Sequence, residues 1–257
     1  MMPSTCGVVR QTGFSLVELM VALALGLLIS AAAISLFSTS RRTFALQQAG
    51  AQLQQRGQLA LRFLAGEVRM AGFAGAEGDA FPGIVTATSD GVPGSADGGA
   101  GNDRLTVRYF AAEDCEGHRR EQAQGPARVV NTYWVDERGY LLCEGNLAHS
   151  LSGGVKLLAG VRGFQVLYGV DNDPDGIPFA GQYVTADAIG GRAVLSVKLS
   201  LLLEVASGAL DQSEARNWYL LDQTVSTEPA KALRRRFTID VARRNCPWEG
   251  DYPWQRI

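Results

Sequence analysis

Residues 13–37 read GFSLVELMVALALGLLISAAAISLF, and they decide the architecture of the chain. From Phe14 to Phe37 there are 24 residues with one ionisable side chain, Glu18. At about 1.5 Å per residue such a helix is roughly 36 Å long, enough to cross a hydrocarbon layer of roughly 30 Å. Outside this run the composition is ordinary for a globular protein, with 257 residues and a net charge of -2. A chain of that length buries a core of its own. Arg10 precedes the span and Arg41 and Arg42 follow it. The short polar segment before the span is expected to stay cytoplasmic. The two arginines beyond it lean the other way, so orientation rests on what lies at the boundary itself.

At that boundary the usual order of a secretory signal is inverted. A polar leader ends in Gln11-Thr12-Gly13 and the apolar run comes after it, beginning Phe14-Ser15-Leu16-Val17-Glu18; an export signal would place its cleavage site beyond the apolar part. The string GFSLVE followed by an uninterrupted apolar helix resembles the type IV prepilin motif of pilins and pseudopilins. That resemblance implies cleavage between Gly13 and Phe14 by a prepilin peptidase and N-methylation of Phe14. Glu18 carries a separate physical expectation. A carboxylate within a membrane span costs about 2.5 kcal/mol or more, so it needs a partner or a function. Cleavage after Gly13 would free an amine on Phe14, one helical turn away, and positions i and i+4 share a face. In the pilin family this glutamate guides assembly into the filament.

The helical pattern continues past the apolar run. Leu46, Ala49, Leu53, Gly57, Ala60, Leu64, Val68 and Ala71 recur every three or four residues, and glutamines and arginines lie between them. No proline occurs between Phe14 and Phe81, so nothing obliges a break before Gly72, which is suited to a left-handed C-cap. The stretch QQRGQLALRFLAGEVRMAGFAG (54–75), with its R-M-A-G-F ending, is similar to the PilW family of minor type IV pilins. GVRGFQVLYGVDNDPDGIPFAGQYV (160–184) resembles the same family. A Gly-, Ala- and Asp-rich stretch over 72–103 reads as a long loop with a short strand at 84–88. Strands are expected at 105–110, 164–170, 195–203 and 237–241, the last two alternating apolar and polar residues. A hairpin joins 129–135 to 140–143 through Asp136-Glu137-Arg138-Gly139.

Four groupings invite chemistry. Asp171, Asp173 and Asp175, followed by Gly176, match the opening of a calcium loop, although the twelfth position is Gln182 rather than a bidentate glutamate; a solvated turn is the competing reading. Cys115 and Cys143 form a disulfide in an oxidising compartment, or join His118 and His149 as a zinc site. Cys246 is then left over. Arg234, Arg235, Arg236, Arg243 and Arg244 make a basic cluster, but a strand divides such side chains between two faces and no nucleic-acid partner is expected. No nucleophile, metalloprotease or phosphate-loop motif is present in the sequence, so an enzyme is not expected.

The expected architecture is therefore α+β and pilin-like, a long N-terminal helix packed against an antiparallel head. Residues 1–13 would be the leader, 14–72 the helix with 14–37 in the membrane, and 73–257 the periplasmic head. The resemblance implies a minor pilin that starts or caps a type IV pilus. Its partners would be other minor pilins, the major pilin, the prepilin peptidase and the bacterial inner membrane. No cofactor beyond calcium at the aspartate turn is expected. A J-type minor pseudopilin of type II secretion, or a membrane-anchored adhesin or DNA-binding pilin, are the alternatives.

Overall fold

In a computed structural model, residues 13–75, 81–119, 125–147, 153–172, 179–210 and 215–245 are described. Helix α1 runs Leu16–Met70. Ser15 starts it, its Oγ accepting the backbone N–H of Glu18 at 3.2 Å. The chain divides into two compact units, one up to Gln47 and one from Gln48 onward, and α1 contributes to both. From Leu16 to Phe37 the helix is apolar apart from Glu18 and exposed; α1 is long and apolar enough to cross a membrane.

In the second unit α1 is amphipathic. Ala49, Leu53, Gly57, Ala60, Leu61, Leu64, Ala65 and Val68 are buried, which adds Leu61 and Ala65 to the face expected from spacing, while Leu46 is only half-buried. This face lies on a β-rich head of two four-stranded antiparallel sheets and one ribbon. The first sheet has the order β1-β2-β3-β4, formed by Leu105–Ala111, Ala127–Val135, Tyr140–Gly145 and Val155–Ala159. The second has the order β10-β7-β5-β6, from Ala232–Ala242, Val194–Ala206, Val161–Val170 and Gln182–Val184. β8 (Arg216–Leu220) and β9 (Gln223–Thr227) form the ribbon. One core joins helix and sheets, with Leu64, Val68, Leu105, Tyr133, Leu141, Phe164, Leu199 and Leu201 among its members.

The expected hairpin is β2–β3, with Tyr133 opposite Cys143 and Val135 opposite Leu141. Asp136 holds its turn by accepting the N–H groups of Arg138 and Tyr140. The alternation over 195–203 is the middle of β7, paired with β10 so that Phe237 faces Leu201. Its serine face is not solvated as period-two patterning implies. Ser196 and Ser200 are buried, and Ser200 is hydrogen-bonded to Thr238 at 3.0 Å. Nearby, Leu220 of the β8–β9 ribbon is fully buried and packs beside Gly163 and Leu202.

Two expectations need correction. The strand at 84–88 reduces to a single bridge between Ile84 and Val107. The loop after α1 is also less solvated than its composition implies. Ile84, Val85, Val92 and Ser95 are buried, and polar bonds pin the loop to the first sheet. Thr106 Oγ1 donates to the Pro93 carbonyl at 2.7 Å, and Arg104 Nε donates to the Gly94 carbonyl at 2.6 Å. Backbone and side-chain hydrogen bonds hold a segment there that has few apolar groups to offer.

Candidate assembly site

Two parts of the molecule bear on function: the N-terminal turn of α1, and the place where the end of α1 is fastened into the head. At the first, Gly13 and Phe14 precede the helix and are exposed, Phe14 at 86%. Glu18 sits in the first helical turn, where the positive end of the helix dipole favours a carboxylate. No intrachain partner of its side chain is found among the described residues. Phe14 N is still a peptide nitrogen in this uncut chain, so the amine that would face Glu18 exists only after cleavage.

At the second, Glu67 is the polar anchor. Its Oε2 accepts hydrogen bonds from the Tyr133 hydroxyl at 2.7 Å, the Tyr109 hydroxyl at 2.9 Å and Asn131 Nδ2 at 3.2 Å. Burial, with the Glu67 charge second, pushes both tyrosine hydroxyls well above their ordinary range, which favours the protonated, donating form. Phe63, one turn earlier, packs its ring edge-on against Tyr133 at 5.8 Å.

The C-terminus of α1 is closed from the other end of the chain. Gly72 adopts φ +87°, and a β-carbon there would meet the Asn245 carbonyl oxygen. Asn245 Nδ2 donates to the Arg69 carbonyl at 2.9 Å. The buried Arg243 donates to the carbonyls of Val194 (2.8 Å), Asn245 (3.0 Å) and Ala71 (3.3 Å). Helix ends leave carbonyls without intrahelical partners, and here residues 243 and 245 supply donors for them. Sequence reading missed this role for Arg243, which it had counted in a basic cluster. Arg234 is likewise engaged, by Glu204 (2.6 Å) and the Glu228 carbonyl (2.7 Å), and Arg236 donates to the Tyr219 carbonyl.

Cys115 and Cys143 are joined by a disulfide with Cα atoms 6.3 Å apart, which removes both thiolates from the zinc alternative. His149 lies outside the described residues. His118 Nδ1 instead faces Asp114 Oδ1 at 3.5 Å and Glu116 Oε2 at 3.8 Å. Those carboxylates hold the loop: Asp114 accepts the N–H groups of Glu116, His118 and Leu147, and Glu116 accepts that of Gly145. Of the calcium trio, Asp171 directly follows β5, whereas Asp173 and Asp175 lie outside the described residues. Gln182 Oε1 accepts a hydrogen bond from Asn172 Nδ2 at 3.0 Å.

Residues 9–34 match the family model of the prokaryotic N-terminal methylation motif. Residues 132–245 match that of Type IV Pilus-assembly protein W. The chain thus carries a PilW-type segment behind a type IV pilin-like N-terminal motif. The PilW-type segment begins in β2 and ends on Asn245, so it contains both cap donors of α1 and the Cys143 half of the disulfide. Among solved structures, a type IV-like pilin from Thermus thermophilus is similar, at 16% identity and a TM-score of 0.46, over 75% of this chain and 96% of that one. No curated protein matches.

Proposed function

We propose that this PilW-type chain is a minor pilin, cut between Gly13 and Phe14, N-methylated on Phe14, and drawn from the inner membrane into a type IV pilus by helix packing around Glu18. The observation that carries this reading is the state of α1 up to Phe37: an exposed apolar surface whose single charge, Glu18, lies one turn after the cleavage point. Lipid satisfies such a surface before assembly, and neighbouring helices satisfy it afterwards. Glu18 then meets a Phe14 amine, its own or that of a neighbour. The head faces the periplasm, where the Cys115–Cys143 disulfide is stable. Its role is one of binding and assembly rather than catalysis, at the start or tip of the filament.

The test is genetic and biochemical. A deletion strain is complemented with wild type, Gly13→Ala or Glu18→Ala, and surface pili, type II secretion and leader removal are scored. Loss of pili in the deletion, uncut precursor with Gly13→Ala, and cut but unassembled chain with Glu18→Ala are expected. Normal pili in the deletion strain would refute the reading, and a secretion defect alone would reassign the chain to the secretion pseudopilins.

A further inference from the structure

One pair of charges has no role in the reading so far. Arg41 and Arg42 follow the apolar run, between it and the head in chain order, although cationic residues ordinarily gather at the cytoplasmic end of a span. Arg10 is the one basic side chain at that other end, and a cut after Gly13 removes it with the leader. From Leu19 to Gly66 the sequence contains no Asp or Glu, so this stretch of helix carries positive charge only.

The structure turns the stretch outward. α1 continues without a break through both arginines, and Phe37, Arg41, Arg42 and Phe44 are all exposed. Phe37, Arg41 and Phe44 follow at spacings of four and three, which sets them on one face. The Arg41 guanidinium lies over the Phe37 ring, 5.7 Å from its centre, and so sits at the rim of the apolar run. Two hydroxyls at the same level are turned back on the helix. Thr39 Oγ1 donates to the Ser35 carbonyl at 3.0 Å, and Thr43 Oγ1 to the Thr39 carbonyl at 3.1 Å. The charged donors here are the two guanidinium groups.

Length along the helix indicates the partner. At about 1.5 Å per residue Arg41 stands roughly 35 Å from Glu18, and a hydrocarbon layer is about 30 Å thick. With Arg41 at the phosphates of one leaflet, Glu18 falls at the opposite boundary, next to the cleavage point. Arginine grips phosphate oxygens through two parallel N–H donors, and in a lipid such as phosphatidylglycerol no amine competes for them. We propose that Arg41 and Arg42 dock the headgroup phosphates of anionic phospholipids in the leaflet on the head side. This contact fixes the depth of α1 so that the Gly13–Phe14 bond lies at the far surface. The proposal rests on the membrane-anchored pilin reading above.

The test uses the full-length chain, reconstituted in phosphatidylcholine vesicles with a trace of spin-labelled phosphatidylglycerol or spin-labelled phosphatidylcholine. Electron spin resonance reports the share of each lipid held by the protein. Phosphatidylglycerol should be preferred by about fivefold for each arginine engaged, and Arg41→Gln with Arg42→Gln should bring the ratio to about one. Excess inorganic phosphate at constant ionic strength should leave the preference in place; its loss there would make the free anion the ligand and overturn the proposal. Equal retention of the two lipids by the wild type, or a preference that survives the double glutamine change, would overturn it as well. In cells, the double glutamine chain should lose its leader severalfold more slowly, and an unchanged rate would defeat the depth assignment. The Cys115–Cys143 disulfide, formed in every variant, is the folding control. A wild-type chain missing from the membrane fraction of its cells would defeat the membrane-anchored reading itself, whereas a membrane-bound chain without lipid preference defeats the arginine pair alone.

Discussion

One helix, α1, meets two environments. Over 16–37 its leucines, valines and isoleucines are exposed; over Gln48–Met70 a stripe of small and branched side chains is buried against the sheets. None of the apolar side chains of 16–37 belongs to the buried core among the described residues. The second stretch belongs to the head's core. Hydrophobicity alone does not separate them. What separates them is whether the apolar residues cover every side of the helix or one stripe of it.

The largest expected effect tests that contrast directly. Leu64 is fully buried, and Leu64→Ala should destabilise the detergent-solubilised chain by about 2–5 kcal/mol. Leu23→Ala, an identical change in the exposed stretch, should leave the thermal midpoint where it was. If Leu23→Ala lowered the midpoint as much, the two stretches would be one cooperative unit and the distinction would fail.

A smaller effect is expected at the polar anchor. Glu67→Ala leaves the Tyr109 and Tyr133 hydroxyls without their shared acceptor and should cost about 1–3 kcal/mol, read as a lower midpoint in a thermal melt. Glu67→Gln keeps one amide oxygen for them and should lose less. Equal losses would mean that side-chain shape, not the acceptor, matters there.

The smallest effect is a pH dependence that leaves α1 out. Burial raises the Glu204 carboxyl, but hydrogen bonds and charge from Arg162 and Arg234 outweigh it, so its pKa is lowered. A lowered native pKa means that the unfolded chain takes up the proton first as pH falls. The stabilisation is present above the ordinary carboxylate range and is lost as pH drops through it and on through the lower native value. Glu204→Gln should flatten the acid limb of a plot of thermal midpoint against pH. The proposed cleavage and membrane retention, assigned to the first stretch, should not respond to that change. An unchanged acid limb would show that the pair contributes no pH dependence.

Much of the fold is legible residue by residue. The β2–β3 hairpin announces itself through Asp136 and Gly139 between two apolar runs, because turn chemistry is local. β7 and β10 show through alternation at Leu199, Leu201 and Leu203 and at Phe237 and Val241. β4 does not, since Val155–Ala159 is largely exposed and carries no one-sided pattern. The division of the head into two sheets is equally hidden, because pairing partners are set by distance in space and not by composition. At the candidate site, the Gly13–Glu18 turn is readable since its chemistry is contiguous. Glu67 and Arg243 are not. One reads as a solvated helix residue and the other as part of a basic run, until folding brings Glu67 to Tyr109 and Tyr133 and Arg243 to Ala71.

By itself, then, the amino-acid order determined the apolar helix, its lone acid, its helical continuation to Met70 and the antiparallel character of the head, because each depends on spacing along a few turns or one strand. Tertiary structure alone decided where the head begins on that helix, that Cys115 bonds Cys143, and that Asn245 and Arg243 close the end of α1. Each of these joins groups far apart in the chain. Only the packed core, by fixing their separation, makes the contact available.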